Sequence, residues 1–266
     1  MQRDSIANTF VVAGLLCGVC SLMVSGAAVG LRSTQQTNKE LDKKRNVLVV
    51  AGLIGPKERP SEAETNEKFR QIEVKVVDLR DKGNARYAID VDVATFDQRK
   101  AAKDPEHSKE LGQDEDVANI KRREHYATVY RIMDGDRLDQ IVLPIKGYGL
   151  WSILYGFVSI DSDLVTIRGI GFYEHGETPG LGGEVDNQKW KDLWKNGKKA
   201  FDEKGDVSIE VIKGVVSANA KNPEHQVDGL SGATFTSNGV TNMLKYWLGP
   251  DGFGPYLNRL RRERGD

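Results

Sequence analysis

The hydrophobic pattern begins with one long apolar run and then breaks into short, alternating pieces. Residues 10–31 carry no charged side chain. Roughly twenty apolar or small residues, at 1.5 Å rise each, suffice for a helix to cross a bilayer. A transmembrane helix is therefore expected over residues 9–31, with a cytoplasmic tip at 1–8. A cleavable signal peptide competes, since Ser25-Gly26-Ala27 offers small residues near a cleavage site. Its apolar core would, however, exceed the roughly 7–15 residues usual there. Beyond the run, Leu41, Val47, Leu48, Val49 and Leu53 among charged residues predict a helix leading away from the bilayer, ended by Gly55-Pro56.

Residues 62–70 read as a short helix. Alternation at period two predicts strands over 74–79 and 87–93. The stretch 97–116 is charged with almost no large apolar residue, which predicts a solvated excursion or mobile loop. Strand patterns resume over 127–133 and 138–145, joined by the hairpin-type turn Asp134-Gly135-Asp136. Further strands are expected over 153–160 and 164–173. A helix over 188–196 places Trp190 and Trp194 on one face, and another carries Val240, Met243, Leu244 and Trp247 at helical spacing. Strands and helices in clusters, without regular alternation, argue for an α+β fold with a mainly antiparallel sheet flanked by helices. The expected divisions are a membrane-proximal region with a charged insert at 32–125 and a compact domain at 126–266.

Charge and composition narrow the function classes. With 38 basic against 39 acidic residues there is no single-sign field, so nucleic acid is not a suggested partner. Arg3 precedes the apolar run, whereas Arg32, Lys39, Lys43, Lys44 and Arg45 follow it. The positive-inside rule would keep the following domain in the cytoplasm, although large domains are exported against that bias. Cys17 and Cys20, the only cysteines, lie inside the run and supply half a tetrahedral metal site at most. They read as small apolar residues. Histidines 107, 125, 175 and 225 are scattered without zinc spacing, and no Gly-x-Ser-x-Gly elbow is present. No metal site or hydrolytic triad is expected.

Three glycine-bearing segments carry the chemistry: Lys146-Gly147-Tyr148-Gly149-Leu150-Trp151, His175-Gly176-Glu177-Thr178-Pro179-Gly180-Leu181-Gly182, and Asp228-Gly229-Leu230-Ser231-Gly232-Ala233-Thr234. The last resembles the flavinylation signature Asp-x-x-Ser/Thr-Gly-Ala-Thr, in which FMN is linked through its phosphate to the final threonine. In this order, the three resemble the FMN-binding domain of the C subunit of the Na⁺-translocating NADH:quinone oxidoreductase. The G subunit of the related Rnf complex shares that domain. The resemblance covers about the last half of the chain by motif, so 126–266 is expected to be the FMN-binding domain. The anchor and long region before residue 133 favour the Na⁺-pump subunit over its shorter Rnf relative.

The resemblance implies FMN covalently attached to Thr234 and a role as an electron relay. It implies as partners the other pump subunits, a flavin transferase during maturation, and the membrane. The location implied is a single pass in the bacterial inner membrane with the domain periplasmic, and no NADH or quinone site on this chain alone. The residues suit this chemistry. A phosphoester needs a hydroxyl, and a β-branched threonine aims its own in a restricted direction. Ser231, Thr236 and Ser237 also carry hydroxyls; only alignment with the motif selects Thr234. Gly232 and Ala233 leave room for a phosphate, and Thr236 or Ser237 is expected to cap the following helix. Asp228 serves transferase recognition or caps a turn. Trp151 and Leu181 are expected to wall the flavin ring, Glu177 and Thr178 to hold its polar side, and Gly147, Gly149, Gly180 and Gly182 to let backbone N–H groups approach. The residues alone leave other readings open. Ser-Gly-Ala-Thr is also a turn and helix cap, Trp151 a core residue, Glu177 a solvated carboxylate, and the whole a non-redox binding or assembly module.

Overall fold

The computed structural model describes residues 6–83 and 85–264. Arg3 and most of the expected N-terminal tip therefore lie outside the described residues. The chain divides into two compact units, residues 1–43 and 44–266. The first unit is helical throughout its described part, the beginning of helix α1 (Ile6–Val50). Phe10, Leu15, Leu22 and Val29 are all exposed on it, and the helix is long and apolar enough to cross a membrane. Cys17 and Cys20 are free thiols on this surface.

The second unit begins with the last turn of α1, where Val47, Leu48 and Val50 are buried. The helix stops earlier than expected, at Gly52 rather than Gly55-Pro56. Gly52 adopts φ +71°, and Leu53 N–H donates to the Leu48 carbonyl at 2.9 Å while Gly52 N–H donates to Val49 at 3.0 Å. This is the left-handed C-terminal turn that glycine permits at least cost. Helix α2 (Glu62–Phe69) and strand β1 (Ile72–Asp78) follow. The expected strand over 87–93 does not form. Tyr87 makes one isolated bridge to Val77, after which Asp92 accepts the Ala94 N–H and turns the chain. Aspartate side chains compete with strand pairing in this way, despite the alternation around them.

The charged insert is ordered, which corrects the loop expectation. It holds helix α3 (Gln98–Ala101) and strand β2 (Ser108–Glu110), the latter paired with β3 (Arg122–Glu124). Gln98 accepts from Thr128 N–H at 3.0 Å and donates to Glu124 at 2.6 Å, while Arg99 grips Glu174 through two bonds of 2.6 and 2.8 Å. Strands β4 (Tyr126–Asp134), β5 (Arg137–Tyr148), β6 (Ile153–Asp161) and β7 (Ile167–Glu174) then complete a five-stranded antiparallel sheet in the order β1-β4-β5-β6-β7. Since β1 pairs with β4 along its whole length, the region 44–125 belongs to the same unit as the C-terminal half.

Both sheet faces are covered, so the strands bury neighbours on alternate sides. Val142 and Phe157 join Val47, Leu48 and Ile54 on one face; Ile141, Leu143 and Val158 join the helical layer on the other. That layer contains α4 (Gln188–Asp192), the short strands β8 (Glu210–Val211) and β9 (Gln226–Val227), α5 (Thr234–Leu248) and α6 (Gly254–Arg264). Trp190 and Trp194 pack edge to face with centroids 5.4 Å apart. On α5 the apolar face expected from spacing, Val240, Met243, Leu244 and Trp247, is fully buried.

Candidate functional site

The first two glycine-bearing segments and the helix turn that follows the third meet at one buried carboxylate. Glu177, only 5% exposed, accepts hydrogen bonds from the backbone N–H groups of Leu150 (3.1 Å), Trp151 (2.9 Å) and Ser152 (3.2 Å). The Thr236 hydroxyl donates to its other oxygen at 2.7 Å. The β5–β6 hairpin loop, the loop after β7 and the first turn of α5 are thereby tied together. Burial by itself would push the Glu177 pKa up. The Thr236 hydroxyl and the Trp151, Leu150 and Ser152 N–H groups outweigh it and hold the carboxyl below its usual range.

Glu177 thus faces inward, with its acceptor capacity spent on protein donors, rather than outward toward a ring edge. Neighbouring glycines explain the fit: a Cβ at Gly149 would lie 2.7 Å from one carboxylate oxygen, and one at Gly182 2.6 Å from the other. These two glycines make room for a side chain, not for an approaching cofactor. His175 supports the same loop, accepting the Glu177 N–H at Nδ1 (3.2 Å) and pairing through Nε2 with Asp186 (2.8 Å). Thr178-Pro179-Gly180-Leu181 forms a turn in which Gly180 takes φ +76° and Leu181 N–H returns to the Thr178 carbonyl at 3.1 Å. Proline then glycine at its centre is what such a turn requires.

Above this frame, α5 begins unusually. Its N-cap position is Ala233, and no side chain caps it. The expectation that Thr236 or Ser237 would cap is therefore corrected. Thr236 bonds Glu177, and the Ser237 hydroxyl accepts the Leu230 N–H at 3.0 Å, pinning the preceding turn. The first backbone bond of the helix is donated by Ser237 to Ala233 at 3.0 Å, so the N–H groups of residues 234–236 precede it. Thr234 is exposed in the first turn, beside exposed Ser231 and Gly232, the latter at φ +69°.

Around this opening the surface is apolar: Trp151 is 67%, Phe235 69% and Leu181 44% exposed, with Leu150 and Tyr148 also exposed. Trp151 is not a core residue. Asp228 is half-buried. Its carboxylate accepts the Val216 N–H at 2.8 Å and its carbonyl accepts the Trp190 indole N–H at 2.8 Å, so it fastens the motif to the neighbouring loop.

Comparison with known proteins gives the family of the chain. Residues 149–249 match the FMN-binding domain family. The chain is 49% identical to the C subunit of the Na(+)-translocating NADH-quinone reductase of Pseudomonas aeruginosa, over 98% of each chain. It is 46% identical to the same subunit of Yersinia pestis, over 98% of this chain and 95% of the other. The chain belongs to this NqrC family. The crystal structure of NqrC from Shewanella oneidensis superposes with a TM-score of 0.73 at 36% identity, covering 85% of this chain and 99% of that one. The crystal structure of the corresponding reductase subunit from Parabacteroides distasonis gives 0.63 at 30% identity, covering 85% and 96%.

The residues of this NqrC-family chain fit FMN at both ends. An uncapped helix start with an exposed hydroxyl suits a phosphate, and exposed flat or branched side chains beside it suit a ring. The role of Glu177 escaped sequence reasoning. The one available signal was an acidic residue bracketed by Gly176 and Gly180, an unusual setting for a merely solvated carboxylate.

Proposed function

We propose that this chain is an electron-carrier subunit of a membrane Na⁺-translocating NADH:quinone oxidoreductase, holding FMN through a phosphoester to the Thr234 hydroxyl. The observation that carries this reading is the exposed Thr234 at the uncapped start of α5. When bound, FMN supplies reversible electron uptake and release. The chain's residues then divide the work. Backbone N–H groups of residues 234–236 and the helix dipole balance the phosphate charge. Ser231, Gly232 and Ala233 keep the approach to Thr234 open. Trp151, Leu150, Leu181 and Phe235 exclude water from the ring faces, and Thr178 with Gly180 offers polar groups to its edge. Glu177 holds the loops that carry these side chains.

Asp228 shapes the turn that a flavin transferase must recognise during maturation. The partners are the other subunits of the oxidoreductase, and the long apolar helix is a single-pass anchor. We place the domain on the periplasmic side, against the cluster of basic residues that follows the apolar run within α1. Alkaline phosphatase fused after Asp266 should be active there; a fluorescent cytoplasmic GFP fusion would reverse the orientation.

Intact mass spectrometry tests the central claim. Coexpressed with a flavin transferase, the chain should carry one FMN adduct and stay yellow after denaturation. Thr234→Ala should lose the adduct and Thr236→Ala should keep it. An adduct mapped to Thr236 would relocate the attachment, and an unmodified, colourless chain would overturn the electron-carrier reading.

A further inference from the structure

The β5–β6 hairpin that carries Trp151 is braced from outside the glycine-bearing segments. The Tyr148 N–H, at the end of β5, donates to the Ala118 carbonyl at 2.8 Å. Ala118 lies between β2 and β3, in a turn whose backbone is strained. Asn119 takes φ +52° and Lys121 φ +63°, two of the three non-glycine residues with positive φ among the described residues. Both side chains are exposed, so neither is held in this conformation by its own burial. Strain of this kind persists only where the surroundings over-determine it, and it collects at functional sites.

Asp116 is what imposes it. One carboxylate oxygen accepts the Ile120 N–H at 2.8 Å and the other accepts the Lys121 N–H at 2.7 Å. The Asp116 carbonyl accepts the Asn119 N–H at 3.0 Å. The turn is thus wound around one side chain, its successive N–H groups forming a nest that the carboxylate fills. The turn delivers the Ala118 carbonyl to Tyr148, and Ala118 itself is buried. At its own carbonyl, Tyr148 meets α5 with no side chain between, since a Cβ at Gly239 would overlap the Tyr148 oxygen. The Tyr148 main chain is therefore fixed by the turn at its N–H and by α5 at its carbonyl. Thr234 stands on that same helix, five residues before Gly239.

We infer that Asp116 is a positioning residue for the flavin, acting through Ala118 and Tyr148 to hold the Trp151 hairpin against α5. Attachment through the phosphate fixes only one end of the cofactor, so the place of the ring depends on how the hairpin is held relative to that helix. The inference rests on the flavin reading above. The competing role is local: the turn would serve only to seat Ala118 and Ile120 in the core.

Hydrogen exchange and flavin spectroscopy of the full chain in detergent separate the two roles. In the flavin-free chain, Asp116→Ala should lose exchange protection at the Tyr148 amide. Asp116→Asn should lose less, because its amide keeps one acceptor oxygen. In the flavinylated chain, the same substitutions should shift flavin absorption and raise the quenching of flavin fluorescence by iodide, in the same order. The milder asparagine variant keeps both signals readable if the alanine variant does not fold. Ser61→Ala, which removes the cap of α2, should move neither signal and so controls for general loosening. Unchanged protection at Tyr148 overturns the brace. Lost protection with an unshifted flavin leaves the turn serving the core alone and overturns the positioning role. A parent chain that takes up no flavin is a failure of the flavin reading, visible before any variant is compared, and the positioning role falls with it.

Discussion

Two helices of this domain begin in opposite ways. Helix α2 is closed by its own side chains: the Ser61 hydroxyl accepts the Glu64 N–H at 3.3 Å, and the Glu64 carboxylate accepts the Ser61 N–H at 2.8 Å. Helix α5 begins at Ala233 with no capping side chain. Yet α5 is the longer and better buried of the two, at 15 residues against 8. Magnitudes explain how it stays formed. A cap contributes about 1 kcal/mol, whereas each fully buried large apolar side chain contributes roughly 1.5–3 kcal/mol. Val240, Met243, Leu244 and Trp247 are all fully buried, so α5 forms without a cap and its first N–H groups stay available. Helix α2 buries only Thr65 completely and depends on its own termini.

The sharpest way to break this contrast is to remove what holds the α5 opening in place. Glu177→Ala would leave three backbone N–H groups and the Thr236 hydroxyl without their acceptor. We expect a loss of roughly 3–5 kcal/mol, read as a large fall in melting temperature, because buried donors lose a charged partner. Glu177→Gln, which keeps an acceptor oxygen, should cost less. The pH dependence follows from the depressed carboxyl. A folded pKa below the unfolded one stabilises fully above the ordinary glutamate value, about 4.3, and is lost as pH falls through the lower folded value. The gap in melting temperature between the unsubstituted chain and Glu177→Gln should therefore hold at neutral pH and shrink on acidification below that range. A gap independent of pH would show that the ionised carboxylate is not what ties the loops together.

Next in size is a contrast between tryptophans. Trp194 is fully buried and Trp151 mostly exposed. Trp194→Ala should cost roughly 3–5 kcal/mol and leave the spectrum of any flavin that still folds in place unchanged. Trp151→Ala should stay within about 0.5 kcal/mol of the parent, as exposed substitutions do, while shifting flavin absorption and potential. Thermal melts and absorption spectra of the flavinylated chain check both. A strongly destabilised Trp151→Ala with an unshifted spectrum would remove that side chain from the site.

How far these parts were legible depends on how local their causes are. The sheet strands, the Asp134-Gly135-Asp136 turn and the apolar face of α5 follow from period and turn chemistry within a few residues, and the structure has them. The three glycine-bearing motifs were legible as residue types in order. The insert was not, because Gln98 and Arg99 owe their order to Thr128 and Glu174, the latter 75 positions away. The inward turn of Glu177 was hidden for the same reason. Its donors lie 27 positions earlier, at Leu150, and 59 later, at Thr236, and nothing local distinguishes it from a surface carboxylate. Residues 87–93 failed in the opposite sense: the alternation was real, but Asp92 supplied a competing turn.

The smallest expected effect discriminates best between the two helix beginnings. Ser61→Ala should cost about 1 kcal/mol whether or not flavin is attached, because the cap of α2 serves only α2. The mirror change, Ala233→Ser, offers α5 a hydroxyl that can accept one of its early N–H groups. In the chain without flavin this should gain up to about 0.5–1 kcal/mol, less whatever it costs to place a hydroxyl at a buried position. With the phosphate on Thr234 as proposed, the same N–H groups would be taken in the flavinylated chain, so the gain should vanish or turn into a loss. The measurement is the change in melting temperature for Ala233→Ser in the two forms, each against its own parent. An equal gain in both would mean that the start of α5 is merely uncapped, not reserved for an anion. A gain confined to the flavin-free form would show that the N–H groups left open by Ala233 are occupied once the cofactor is in place.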